Sequence, residues 1–317
     1  MPIESSLTPE DTLRARERVR SMIRATPVMT AEHLNELTGA SLFFKCEHLQ
    51  HTGSFKLRGA SHAVSLLPDD CPGVATHSSG NHGAALACAA SRRGIRAEIV
   101  VPEGAVADKV GNIRHYGGQV HFCPPTQAGR EAALARLVGT GLVPIPPYDD
   151  DRIIAGQGSA ALELCEQVED LDLIVAPVGG GGLIAGSALA ARATRARPKV
   201  IGVEPAGADD TVRSLAAGER VAEHQPRTVA DGLRALVGER NLAVIREHVE
   251  TVLTVDEDTI VQAMALIWSR LKQVAEPSGA VALAGILAHP ERFRGRRVGV
   301  IVSGGNLDVS ARLAGLR

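Results

Sequence analysis

The stretch LIVAPVGGGGLIAGSALAA, Leu173 to Ala191, decides the fold. It is uncharged and approaches the length of a membrane span, but Pro177 and the four glycines Gly179 to Gly182 interrupt it. A helix facing lipid must keep its backbone hydrogen bonds intact, so the membrane reading fails. What remains is a strand, a glycine loop and an alanine-rich helix. The same unit recurs along the chain. Apolar runs of strand character lie at SLFFKCE (around Leu42 to Lys45), GVATHS (Val74), AEIVVP (Ala97), QVHFC (Val120), KVIGVEP (Val200) and RVGVIVSGG (Val298), with helical stretches such as AALACAASRRG and SALAARATRAR between them. Runs of β-branched residues with little polar alternation imply strands covered on both faces, and strand–helix alternation implies parallel sheets with crossover helices. The predicted class is α/β.

The chain's 317 residues suffice for two lobes sharing a cleft. A hydrophobic fraction of 44% with only 3% aromatic residues fits Ala/Val/Leu-rich helices on a buried sheet. A net charge of −2 carries no global bias toward nucleic acid or an anionic membrane, so the expected partner is a small molecule, with no nucleic acid and no membrane. Cys46, Cys71, Cys88, Cys123 and Cys165 are scattered and odd in number, without a CxxC pair, which indicates neither a zinc site nor a disulfide framework and suits reduced cytosol. LTPEDTLRARERV predicts a first helix with Thr8 as N-cap, Pro9 at the first helical position and Glu10 and Asp11 in the first turn. It has no apolar core of a signal peptide, so a cytoplasmic location is expected. TGLVPIPPYDDD, with three prolines and three aspartates, is the candidate crossing between lobes.

Several strand ends carry Gly- or Ser-rich turns, where ligands collect in open parallel sheets. The glycines of VGGGG, at a helix start, either turn consecutive amides toward an anion such as phosphate or serve close packing alone. No Walker lysine and no dinucleotide fingerprint accompanies them. Ser78, Ser79, Asn81 and His82 in HSSGNHG either hold a carboxylate at the next helix or form an N-cap. Ser303 in VSGGN either caps a helix or bonds a ligand. In HTGSFKLRGA, His51 to Ala60, Lys56 either lays its stem on the core with its ammonium in water, or is an amine dry enough to be neutral for Schiff-base chemistry. A lysine, a phosphate cradle, a carboxylate loop and a hydroxyl at another strand end are the contacts that pyridoxal phosphate needs.

HTGSFKLRGA, HSSGNHGAALA, VGGGGLIAG, EPSGA and VSGGN, in this order and at these separations, resemble the fold type II pyridoxal-phosphate enzymes, specifically the serine/threonine dehydratase and serine racemase family. The similarity runs from TPVMT through VSGGN. It implies a tryptophan synthase beta-like fold with two lobes of mostly parallel sheets flanked by helices: residues 1–72 and 150–317 as a large cofactor-binding domain, and 73–149 as a small domain closing over the site. It implies Lys56 as the Schiff-base lysine, Phe55 beside the cofactor ring, Asn81 at the ring hydroxyl, Gly179, Gly180, Gly181, Gly182 and Leu183 at the phosphate, and Ser303 at the pyridine nitrogen. Ser78, Ser79, Asn81 and His82, with Arg130 from the small domain, would surround the substrate carboxylate. Glu204, Asp210 and the carbonyl of Ala208 would hold a divalent cation, Mg²⁺ or Ca²⁺. A homodimer is common among such proteins.

The implied reaction is α,β-elimination on L-serine- or L-threonine-type 3-hydroxy amino acids, giving a 2-oxo acid and ammonia. Ser79, on the ring face opposite Lys56, admits serine racemisation as an alternative or second activity, and 3-hydroxyaspartate dehydration is a further alternative. Tyr148 and Ala235 depart from the racemase pattern and favour the dehydratase. The non-enzymatic alternative is a sensor of the cofactor or an amino acid.

Overall fold

Along the strand of the opening stretch, Leu173 and Val175 face one hydrophobic core and Ile174 and Ala176 face another. Both faces are buried, which is why the run shows no polar alternation. The computed structural model describes residues 7–308. In chain order its elements are α1 (Pro9–Val19), β1 (Val28–Met29), α2 (Glu32–Thr38), β2 (Ser41–Cys46), α3 (Lys56–Ser65), β3 (Gly73–His77), α4 (Asn81–Arg93), β4 (Arg96–Pro102), α5 (Ala107–His115), β5 (Gln119–Cys123), α6 (Gln127–Val138), β6 (Val143–Pro144), α7 (Asp151–Gln167), β7 (Leu173–Pro177), α8 (Gly182–Ala193), β8 (Lys199–Pro205), α9 (Asp210–Ala217), α10 (Glu239–His248), β9 (Thr251–Val255), α11 (Glu257–Leu266), α12 (Pro277–Ala288) and β10 (Arg297–Val302).

The strands form a six-stranded sheet of order β1-β2-β10-β7-β8-β9 and a four-stranded sheet of order β5-β4-β3-β6. Every pairing is parallel except β1 with β2. The class is α/β, and no helix among the described residues is long and apolar enough to cross a membrane. All seven apolar runs are strands. Three further strands, β1, β6 and β9, were not expected. The first two are two residues long, too short to carry a period. The third, TVLTV, is an edge strand with both threonines half-exposed, so it lacks the unbroken apolar signature of its neighbours. The first helix starts as predicted: Pro9 is its first residue, and the Thr8 amide and hydroxyl both donate to the Asp11 carboxylate, at 2.8 and 2.9 Å.

The lysine-bearing helix α3 lies between the two sheets, packed on α7 and α4. Its Leu57, Ala60, Ala63 and Val64 share one core with Val74, Leu86 and Ile99 of the four-stranded layer. The α3–α7 crossing is close enough that a Cβ on Gly156 would lie 2.7 Å from the Gly59 Cα, which only glycine at both positions permits.

Behind the first turn of α3 sits a buried ionic network. Arg58 donates to Glu47 through Nε and Nη2, both at 2.7 Å, and to Glu163 at 3.0 and 3.3 Å. Lys45 Nζ donates to Glu163 at 2.5 Å, to the Thr26 carbonyl at 2.7 Å and to Gln167 at 2.8 Å. All four charged side chains are buried. Burial pulls the Lys45 pKa down against Glu47 and Glu163; for Glu163, burial pushes up but Arg58 and Lys45 outweigh it and hold the carboxyl low. The network fixes α3 relative to α7 and the turn after β2.

Candidate active site

Segments that leave the carboxyl ends of β2, β3, β6 and β10 are linked to one another around the start of α3, and the one after β6 also packs on the glycine loop after β7. After β2 the chain passes a short turn at Glu47–Leu49 and runs alongside the SGGN loop that follows β10: Ser54 bridges Gly304, and the Phe55 amide donates to the Ser303 carbonyl at 3.0 Å. This pairing delivers Lys56 into the cleft. Its Nζ donates to the Pro147 carbonyl at 2.8 Å and lies 5.1 Å from the centre of the Phe55 ring, with no carboxylate partner. Desolvation pulls the amine down to about 8. Lys56 is half-buried, with its amine turned onto a backbone carbonyl.

The glycine loop joins β7 to α8. The amides of Gly179, Gly180 and Gly181 find no acceptor among the described residues, although all three residues are buried. Gly181 holds φ +90°, a left-handed conformation that side chains resist, and Gly182 and Leu183 begin the helix with their own N–H groups outside its bonding pattern. Buried, unpaired amides at a helix N-terminus are the donor set a phosphate requires. Ser303, at the end of β10, is buried, and its hydroxyl reaches only the Ser278 carbonyl, at 3.3 Å.

The serine loop follows β3. The Ser79 hydroxyl bonds to no described residue, whereas Ser78 Oγ accepts from the Gly80 amide at 3.4 Å. Asn81 starts α4 and is fixed at both ends of its side chain: Nδ2 donates to Glu276 at 2.7 Å and Oδ1 accepts from Asn306 at 2.8 Å. The His82 ring is buried, and Nε2 donates to the Ile145 carbonyl at 3.0 Å. Burial and the nearby Lys56 push its pKa down to about 3, so the ring is neutral and Nδ1 is a lone pair. Its side chain therefore cannot donate to a carboxylate, and the contribution open to His82 is its backbone amide at the helix start. Arg130, in the first turn of α6, makes no ion pair among the described residues and has a buried Nε without a partner; it lowers the pKa of neighbouring His77, after burial.

Glu204, at the end of β8, accepts from the Val212 amide at 2.8 Å through Oε1, and its buried Oε2 has no partner. Asp210 accepts from the Val237 amide at 2.7 Å and lies 3.4 Å from His224 Nδ1. Burial, with Asp210 adding to it, pushes the Glu204 carboxyl up to about 8. Two buried acids with one unsatisfied oxygen suit a cation, although among the described residues no three acidic, histidine or cysteine side chains converge as ligands. Asp209 pairs instead with Arg213 at 2.9 Å.

The sequence reading assigned no role to several residues of the site. Glu276, the N-cap of α12, is buried, with one oxygen on Asn81 and the other unpartnered. Its signals in the sequence are its place before Pro277 at a helix start and at the head of the EPSGA motif. Lys109 of α5 and Asp231 form an ion pair across the cleft beside it. Burial pushes the Glu276 carboxyl up to about 7, against the pull of Lys109. A folded pKa raised above the ordinary value of 4.5 means stability that is complete below pH 4.5 and lost as pH rises through about 7. Glu276→Gln keeps the acceptor for Asn81 and removes the ionisation. In urea unfolding of the cofactor-free protein it is expected to match wild type near pH 4 and to be more stable by roughly 3 kcal/mol at pH 8.

A family model described as pyridoxal-phosphate dependent enzyme matches residues 19–304. The chain is 48% identical to a beta-hydroxyaspartate dehydratase of Paracoccus denitrificans, over 95% of this chain and 97% of that protein. It is 46% identical to a serine racemase of Arabidopsis thaliana, over 94% of this chain and 92% of that protein. The solved structure of maize serine racemase superposes with a TM-score of 0.95 at 40% identity, covering 98% of this chain and 97% of that one.

Proposed function

The chain belongs to the pyridoxal-phosphate dependent enzymes, and from that premise we propose that it is an ammonia-lyase for 3-hydroxy amino acids, releasing a 2-oxo acid and ammonia by α,β-elimination. The observation that carries this reading is Lys56, a desolvated amine without a counter-ion, poised between the serine loop and the segment that covers the glycine loop. The relatives named as a beta-hydroxyaspartate dehydratase and a serine racemase bracket the substrate class.

The unpaired amides of Gly179, Gly180 and Gly181, with those of Gly182 and Leu183, would hold the cofactor phosphate; Asn81 would meet the ring hydroxyl, Ser303 the pyridine nitrogen, and Phe55 would pack beside the ring. Bound there, pyridoxal phosphate withdraws electrons from the Cα–H bond of an amino acid joined to its aldehyde. Lys56 Nζ, whose pKa burial lowers to about 8 so that a fraction is neutral at neutral pH, takes the α-proton. Ser78, Ser79 and the amides of Asn81 and His82 orient the substrate carboxylate at the positive end of α4. Ser303 offers a neutral hydroxyl instead of a carboxylic acid, so no side chain there supplies a full proton, a setting that favours loss of the β-hydroxyl. The unpaired guanidinium of Arg130 is the cation available for a second carboxylate, as in 3-hydroxyaspartate. A divalent cation, magnesium or calcium, would sit on Glu204, Asp210 and the Ala208 carbonyl and satisfy the orphan oxygen of Glu204. The five free thiols suit a cytoplasmic location; a homodimer rests on the resemblance.

The free hydroxyl of Ser79 supports a second reading, racemisation, in which it exchanges a proton on the face opposite Lys56. One assay separates the two: incubation with L-serine, L-threonine and L-threo-3-hydroxyaspartate, with and without magnesium, measuring 2-oxo acid and D-isomer together. The expected outcome is oxo acid in excess over D-isomer, with Arg130→Met raising KM for hydroxyaspartate roughly ten-fold or more and leaving serine unaffected. Ser79→Ala is expected to remove any D-isomer and spare most of the elimination. D-serine as the main product would reverse the ranking, and inertness toward all three substrates would favour the sensor.

A further inference from the structure

The loop after β10 and the loop after β2 are seated on each other. The Gly305 amide donates to the Gly53 carbonyl at 3.0 Å. The Asn306 side chain crosses Gly53, which holds φ +74°, so closely that a Cβ there would fall 2.2 Å from Asn306 Oδ1. From that seat Asn306 Nδ2 donates twice, to the Thr52 carbonyl and to Asn81 Oδ1, both at 2.8 Å. Asn81 Nδ2 donates in turn to Glu276 Oε1 at 2.7 Å. Gly304 leaves room for this last contact: a Cβ on it would lie 2.2 Å from Glu276 Oε1 and 3.2 Å from Asn81 Nδ2.

One atom sets the direction of the whole chain of bonds. A backbone carbonyl only accepts, so the end of the Asn306 amide on Thr52 must be the NH2, and its second hydrogen makes the end of Asn81 that faces it the oxygen. An Asn81 amide turned over would set two NH2 groups against each other. Glu276 cannot make this choice alone: with its carboxyl pushed up to about 7 by burial, it is partly protonated at neutral pH and able to donate as well as accept. The Asn81 NH2 therefore lies at the far end from Asn306, where one hydrogen goes to Glu276 and the second has no partner among the described residues. Asn81 starts α4 beside the four-stranded sheet, whereas Asn306 follows β10 of the six-stranded sheet, so the orientation is imposed from one layer on the other.

We propose that Asn306 is a positioning residue of the active site, holding the Asn81 amide in the one orientation that keeps an N–H free for the ring oxygen of the cofactor. The inference rests on the reading of Asn81 as the partner of that oxygen, and is independent of which amino acid is the substrate. It gives the last residue of SGGN a task that a packing role does not: its donor decides which way round a distant amide sits.

The test is calorimetric titration, at neutral pH, of cofactor-free wild type, Asn306→Asp, Asn306→Ala and Asn81→Ala. Each is titrated with pyridoxal phosphate and, separately, with 3-deoxypyridoxal phosphate, which lacks the ring hydroxyl. The expected result is a Kd for pyridoxal phosphate raised roughly ten-fold or more in Asn306→Asp and several-fold in Asn306→Ala, with the Kd for the deoxy analogue within about two-fold of wild type. Asn306→Asp keeps the shape of the side chain and removes its donor, so wild-type behaviour there would reduce Asn306 to packing. Equal weakening toward both ligands in the Asn306 variants would mean a general loosening of the loop; both outcomes overturn the proposal. Should Asn306→Asp not fold, Asn306→Ala carries the same comparison. Asn81→Ala separates the proposal from the reading beneath it. Selectivity lost there but kept in the Asn306 variants removes Asn306 alone, and selectivity kept in all three removes Asn81 from the ring oxygen and the proposal with it.

Discussion

Lys56→Ala is expected to lower turnover on every 3-hydroxy amino acid by on the order of 10⁴-fold or more, while the cofactor-free protein keeps its unfolding midpoint. In the proposed reaction the amine would have two tasks, holding the aldehyde of the cofactor and carrying the α-proton. His82 lies close enough to Lys56 to have its pKa lowered by it, but its ring is turned to the Ile145 carbonyl. Borohydride reduction followed by peptide mass analysis should find the cofactor fixed on the peptide containing Lys56 in wild type and on none in the variant. The desolvation has its own signature. In the cofactor-free protein, acylation of Lys56 should accelerate as pH rises through about 8, well below the ordinary lysine value of 10.5. A variant retaining a tenth of wild-type turnover would remove Lys56 from the chemistry.

The second large effect is on stability. Arg58→Met takes a partner from two buried carboxylates: Glu47 loses its bidentate cation, and Glu163 keeps Lys45 at 2.5 Å and Arg16 at 3.5 Å. Removing one member of a buried ion network exposes the desolvation cost of those left behind, and the expected loss is about 3–5 kcal/mol of unfolding free energy. Urea unfolding followed by the fluorescence of Trp268, the single tryptophan, reads it directly. The companion Arg58→Met, Glu47→Gln double variant removes the charge that lost its cation and should recover part of the loss, giving a coupling energy between the two positions. A single-variant loss under about 1 kcal/mol would mean that water or rearrangement already screens the network.

Parts of this molecule can be read from short windows. The glycine loop, the serine loop and the Lys56 stretch each announce themselves within a few residues, because a strand end followed by small residues and a helix start is a local arrangement. The network behind α3 is not local. Arg58 meets Glu47 across 11 positions and Glu163 across 105, and nothing in LRGA distinguishes a buried arginine from a solvated one. Glu276 reaches Asn81 across 195 positions, so its part in fixing the serine loop exists only once the two sheets face each other. His82 shows the limit from the other side: its position in the loop was legible, but the direction of its ring depends on a carbonyl 63 residues away.

The apolar side of α3, Leu57, Ala60, Ala63 and Val64, forms part of the interior of the four-stranded layer. Residues 73–149 are therefore not a transplantable module. Grafted onto another scaffold without α3, they would expose a greasy floor, and a chimera between relatives must carry the helix across together with the strands it shelters. Inheritance of the reactive amine and of the sheet above it is coupled by the same few aliphatic contacts.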